Sequence, residues 1–153
     1  MRPAEKPDYS YRTDPLVPTF DDALILLVMD GECALCSGAA RRIAALDRDD
    51  QVRITPANSP LGRAMLLHYD LSPDDPESWL MIRKGRAFGS LDAMMRLGSQ
   101  LHPALKVMNV MRIFPGSVQD WLYARLARNR YRLFGKDDLC AMPDVDLRRR
   151  LIE

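Results

Sequence analysis

The sequence predicts an α/β fold, a βαβ unit running into a ββα unit, with helices added at its C-terminal end. Three observations predict it. A continuous apolar run, Leu24 to Met29, leads through a short loop into helical periodicity from Leu35 to Leu46. Val52 and Ile54 then alternate around Arg53 in a strand-like stretch, and two strands joined by a helix form a right-handed parallel crossover. Further on, Lys84-Gly85 separates two short strand-like runs as a hairpin turn would.

Each element has a local reason. Residues 1–20 hold Pro3, Pro7, Pro15 and Pro18 among charges and tyrosines and read as an extended or disordered arm; Tyr9 and Tyr11 could dock on the domain, but nothing local requires it. The unbroken apolarity of Leu24 to Met29 suits a central strand covered on both faces. The helix after it runs to about Asp47. Gln51 to Thr55 is the second strand, stopped by Pro56. Ser59-Pro60 is a helix start, with serine as cap and proline at the first position, and Leu61, Ala64 and Met65 give that helix its buried face. Leu71 to Glu77 is an acidic, proline-containing loop. Trp79 to Arg83 and Arg86 to Gly89 form the hairpin, and Ser90 caps a helix carrying Leu91, Met94, Met95 and Gly98 on one side. The order β-α-β-α-β-β-α is that of thioredoxin.

Beyond Leu101 the chain exceeds a minimal thioredoxin core. Pro103 to Phe114 is apolar and helix-like, Pro115-Gly116 breaks it, and Ser117 to about Phe134 reads as a second helix with Val118, Trp121, Leu122 and Arg125 on one face. The two are expected to form a helical hairpin packed on the sheet. The methionines read as core filling or as an adaptable protein-binding surface. Arg125, Arg128, Arg130 and Arg132 read as a solvated face whose cations offset the helix dipole. The expected organisation is an arm over 1–20, a core over 21–102 and a helical extension over 103–153, one domain overall.

The chemistry concentrates in Asp30-Gly31-Glu32-Cys33-Ala34-Leu35-Cys36. A C-x-x-C at a strand-to-helix junction reads as a redox dithiol. A helix start offers unpaired N–H groups and partial positive charge, and both favour a thiolate. The second thiol, one turn away, makes resolution intramolecular. Cys36, Ala39, Ala40, Ile43 and Leu46 recur at helical spacing, which places Cys36 inward as the resolving thiol and Cys33 outward as the nucleophile. Asp30, just before the loop, reads either as proton acceptor for Cys36 or as a turn residue bonding nearby N–H groups. Gly31 permits a tight or positive-φ turn. Cys140 is either a third thiol or a small buried hydrophobe. Pro76 is the nearest proline to the Trp79–Arg83 strand and a weak candidate for a cis-proline facing the dithiol. His68 and His102 lack ligand-like spacing and read as surface or packing.

Composition excludes several classes. At 153 residues the chain can bury roughly two-thirds of its unfolded surface without disulfides. Three cysteines make a poor secreted framework. A net charge of +1 offers no electrostatic case for nucleic acid or membrane. The apolar run Ala23 to Met29 is too short to cross a bilayer, and Asp21 and Asp22 stand where a signal peptide would carry positive charge. A cytoplasmic setting is expected, where a C-x-x-C is catalytic or metal-binding rather than structural. A structural zinc wants four ligands, and only three cysteines exist.

The chain resembles the DCC family of predicted thiol-disulfide oxidoreductases. The resemblance rests on the D-G-x-C-x-x-C signature at Asp30–Cys36. It also rests on Arg53-Ile54-Thr55-Pro56-Ala57-Asn58-Ser59-Pro60-Leu61-Gly62, and on Asn129-Arg130-Tyr131-Arg132-Leu133-Phe134-Gly135-Lys136-Asp137-Asp138-Leu139-Cys140. It implies a thioredoxin-like fold and dithiol activity. The expected function is therefore disulfide reduction or exchange on a protein or small-molecule disulfide, with an external thiol or reductase as electron donor and no bound cofactor. Ala34-Leu35 between the cysteines suggests a mid-range potential, roughly −200 to −260 mV. The alternatives are a non-catalytic thioredoxin-like binding module and a metal site built on Cys33, Cys36 and Cys140.

Overall fold

The structure, a computed structural model, describes residues 2–74, 79–135 and 145–152. Its centre is a four-stranded mixed sheet of order β2-β1-β3-β4, formed by β1 (Ile25–Met29), β2 (Val52–Pro56), β3 (Leu80–Arg83) and β4 (Arg86–Gly89). β1 runs parallel to β2 and antiparallel to β3, and β3 is antiparallel to β4. α1 (Ala34–Leu46), α2 (Pro60–His68) and α3 (Ser90–Leu101) complete the thioredoxin-like arrangement.

All five residues of β1 are buried, because both faces of the sheet are covered. Ile25, Leu27 and Met29 pack with Ala40, Ala44, Trp79, Met81 and Leu97 on one side. Leu26 and Val28 pack with Leu61, Met65, Leu66 and Ile82 on the other. Each large aliphatic side chain fully removed from water contributes at most about 2 kcal/mol, so this unbroken run is the main cohesive element. The hairpin turn has positive φ at both Lys84 and Gly85, the geometry that matches strand twist. At α2, Ser59 Oγ accepts the Gly62 N–H at 3.0 Å and Pro60 occupies the first turn. At α3 the cap position is Gly89 rather than Ser90, and no side chain caps the helix.

Outside the sheet the structure adds to the expectations. The first twenty residues, expected as an extended or disordered arm, lie against the domain. Tyr11 lies buried in a 3₁₀ turn, Ser10–Thr13, Tyr9 N donates to Gly85 O at 3.0 Å, and Ala4 N donates to Tyr69 O at 3.0 Å. A Cβ on Gly85 would meet the Tyr9 ring at 2.5 Å, so this glycine makes room for the strap. Pro103–Ile113 is a 3₁₀ segment with no buried residue, not an α-helix. The second C-terminal helix is present as α4 (Gly116–Phe134), which buries Tyr123 and Ala127 and leaves Val118, Trp121 and Leu122 exposed.

The chain then returns to α1. In α5 (Val145–Arg150) Leu147 is buried, and Ile152 N donates to Ile54 O at 2.8 Å along the free edge of β2. Arg150, 2% exposed, donates through Nε to Asp47 Oδ2 at 3.2 Å and through a terminal nitrogen to the Asp47 carbonyl at 2.8 Å. Asp47 also accepts the Val52 and Gln51 N–H groups at the start of β2. One buried carboxylate therefore ties together the end of α1, the start of β2 and the last helix.

Candidate active site

The dithiol lies where β1 gives way to α1, at the C-terminal edge of the parallel strand pair. Met29 O accepts the Ala57 N–H at 2.7 Å, which holds the β2–α2 loop beside the β1–α1 loop. Asp30 Oδ1 accepts the Glu32 N–H at 2.8 Å. The turn-forming role of Asp30 is thus present, with the carboxylate half-buried at the mouth of the loop. Gly31 does not adopt the positive φ that the sequence suggests. What it provides is clearance: a Cβ there would sit 3.3 Å from Pro56 Cβ. Gly62 does the same from the other side, since a Cβ would collide with the Pro56 carbonyl.

Cys33 occupies the cap position of α1 with extended backbone, φ −98° and ψ 120°. Its carbonyl accepts the Ser37 N–H at 2.8 Å, the first bond of the helix. Both motif cysteines are thiols in this structure. Their exposure reverses the sequence expectation: Cys33 is 0% exposed and Cys36 is half-buried. The buried line of α1 runs through Cys33, Ser37, Ala40 and Ala44, with Cys36, Ala39 and Ile43 on its flank. Small side chains on that line let the helix lie close against the sheet, which draws the cap residue under cover. In addition, Ala34 N donates to Gly135 O at 3.4 Å, so the chain leaving α4 crosses the helix start.

Two buried polar groups near the dithiol were not singled out by sequence reasoning. The Ser37 hydroxyl sits one turn beyond Cys33 on the same face. Trp79 precedes β3, where Leu80 pairs with Val28, so its indole lies at the same end of the sheet. Neither polar atom has a hydrogen-bond partner among the described residues. The four-residue step from Cys33 to Ser37 was the readable signal; the position of Trp79 depended on register.

Cys140 and Pro76 lie outside the described residues. Among the described residues no peptide bond is cis, and no group of three or more Cys, His, Asp or Glu side chains is placed to hold a metal ion. No helix among them is long and apolar enough to cross a membrane. A cavity of about 670 Å³ opens between the N-terminal strap, β4 and the start of α4, but neither motif cysteine lines it.

His68 is more than packing. Its Nδ1 lies 2.6 Å from Asp14 Oδ2 and its Nε2 lies 2.8 Å from Ser10 Oγ. This relay links α2 to the strap. The hydrogen bond from His68, joined by the Leu16 N–H, holds the Asp14 carboxyl below its usual range. The Arg12 guanidinium does the same for Asp22. Burial, then the neighbouring Asp22 charge, pushes the Tyr11 hydroxyl above its usual range.

A family described as DCC1-like thiol-disulfide oxidoreductase matches residues 27–136. The chain is 28% identical over 127 residues to the uncharacterized protein YuxK of Bacillus subtilis (strain 168), covering 83% of this chain and 93% of that protein. It is also 28% identical over 123 residues to the DCC family protein At1g52590, chloroplastic, of Arabidopsis thaliana, covering 80% of this chain and 72% of that protein. No solved structure matches it.

Proposed function

Because the chain belongs to the DCC1-like thiol-disulfide oxidoreductase family, we propose that it reduces or exchanges disulfides by cycling Cys33 and Cys36 between dithiol and disulfide. The observation that carries this reading is the placement of the pair: one thiol at the cap of α1 and the other in its first turn. In the first step the Cys33 thiolate attacks one sulfur of a substrate disulfide. The substrate S–S bond breaks, its other sulfur leaves and takes up a proton, and a mixed disulfide forms. Cys36 then loses its proton and attacks the Cys33 sulfur. The second substrate thiol leaves, and two electrons have passed from enzyme to substrate. An external thiol or reductase returns the enzyme to the dithiol, and no bound cofactor enters.

The order of attack follows the helix start rather than exposure. Cys33 holds the cap position of α1 and Cys36 follows it in the first turn, and on that placement the first attack is assigned to Cys33. In this structure Cys33 is buried, so its attack requires the sulfur to become exposed. Asp30 lies at the mouth of the loop and serves as proton acceptor for Cys36 in the second step, while its turn bond to Glu32 fixes the loop. The substrate is a protein or small-molecule disulfide.

Trapping tests the assignment. With a disulfide-bonded protein substrate, Cys36→Ser should accumulate a mixed disulfide through Cys33, detectable by mass spectrometry, and Cys33→Ser should accumulate none. The reverse pattern would make Cys36 the attacking thiol. No adduct with either variant, and no turnover by the unaltered protein, would remove the oxidoreductase reading and favour a thioredoxin-like binding module.

A further inference from the structure

The net charge of +1 conceals a division. Residues 103–134 carry Lys106, Arg112, Arg125, Arg128, Arg130 and Arg132 against Asp120 alone, a net of +5, which leaves −4 on the remainder. The single acid, Asp120, is paired with Arg2 at 3.0 Å. The same stretch holds ten of the thirteen large apolar side chains that are exposed among the described residues.

These two features share one face. Ile113, 78% exposed, and Phe114 project at the corner between the 3₁₀ segment and α4. Val118, Leu122 and Leu126 follow at four-residue steps along α4, a stripe distinct from the buried Tyr123 and Ala127. Beside that stripe stands Trp121, 59% exposed, with the Arg125 guanidinium 5.7 Å from its ring centre. Arg128 and Arg132 continue the cationic edge at helical spacing. α4 thus has three sides: one closes the core, Trp121 and the arginines lie opposite it, and the apolar stripe runs along the flank between them.

We propose that this face docks on an anionic lipid surface, with α4 in the plane of the interface and Ile113, Phe114, Trp121 and Leu122 entering the headgroup–acyl boundary. Apolar and aromatic side chains bordered by arginine are what such an interface selects, and clustered cations add attraction to acidic headgroups. Of this face Phe114 lines the cavity beside α4, whereas Trp121, Leu122 and Leu126 do not; the excess of cations over one paired acid favours an extended acidic surface as the occupant. The stripe continues to Leu133, 63% exposed, two residues before the Gly135 that bonds to Ala34.

The test is co-sedimentation of the full chain with vesicles of phosphatidylcholine, with or without phosphatidylglycerol, together with tryptophan emission. Binding to the anionic vesicles should be about tenfold or more tighter than to the neutral ones and should weaken with salt. It should shift emission to the blue through Trp121, because Trp79 is already buried. Trp121→Glu and Leu122→Glu, both at exposed sites, should lower anionic-vesicle binding about tenfold while leaving the thermal transition unchanged. Equal binding to both vesicle types, or none to either, would overturn the proposal. So would a concentration-dependent dimer in light scattering that Trp121→Glu abolishes while vesicles remain unbound; the face would then belong to a second copy of the chain.

Discussion

Cys33 ends the loop after β1 and Cys36 sits in the first turn of α1, so the two thiols meet different surroundings although they are three residues apart. Asp30 separates two roles that can be told apart by substitution. Asp30→Asn keeps an oxygen for the Glu32 N–H but removes the carboxylate, whereas Asp30→Ala removes both. If Asp30 takes the proton from Cys36, Asp30→Asn should slow the resolving step roughly tenfold to a hundredfold with little change in stability, read by rapid-quench detection of the mixed disulfide. Resolving rates unchanged in Asp30→Asn but lowered in Asp30→Ala would leave only the turn role. At Gly62 the prediction concerns space. Gly62→Ala forces a Cβ against the Pro56 carbonyl and should cost about 1–3 kcal/mol in urea unfolding, loosening the loop that supports Gly31.

At the scale of elements, the tether between α5 and α1 carries weight beyond its length. Removing the buried Arg150 guanidinium from its partner Asp47 should destabilise the fold by about 3 kcal/mol. Arg150→Met, which keeps much of the volume, should show that loss as a lower denaturation midpoint at unchanged slope. A shift of under about 0.5 kcal/mol, the range of an ordinary surface substitution, would mean that the N–H donors at Gln51 and Val52 already satisfy Asp47. Much of this architecture was legible in the sequence where the cause is local. The apolar run of β1, the Ser59-Pro60 start of α2 and the Lys84-Gly85 turn each act through neighbouring residues. The facing of α1 was misread because its buried line consists of Cys33, Ser37, Ala40 and Ala44, whose small side chains give a weak hydrophobic period. The 3₁₀ form of Pro103–Ile113 was not legible either, since its apolar residues repeat like an α-helix yet bury nothing. The docking of the strap depends on Tyr9 meeting Gly85, a contact between distant residues that no local pattern encodes.

For the whole molecule, pH should act first on the strap. Asp14 and Asp22 have carboxyls held below the ordinary 3.8, so their contribution is present above that pH and is lost as pH falls below it. Tyr11 is held above the ordinary 10.0, so the folded state keeps its proton and that contribution is lost as pH rises past 10.0. Hydrogen exchange of residues 2–20 should therefore be slowest, after correction for intrinsic rates, between these limits. A protection profile flat across both would contradict the assigned contacts. The strap, α4 and α5 all converge on the core that carries the dithiol, and this core is proposed to cycle two electrons. A redox titration of the purified chain in glutathione buffers tests that, with mass spectrometry to locate the bond and metal content assayed in the same sample. One reversible two-electron transition is expected, roughly −200 to −260 mV, with the bond between Cys33 and Cys36 and its loss in Cys33→Ser. Stoichiometric zinc or iron, or two cysteines that never bond to each other, would contradict it.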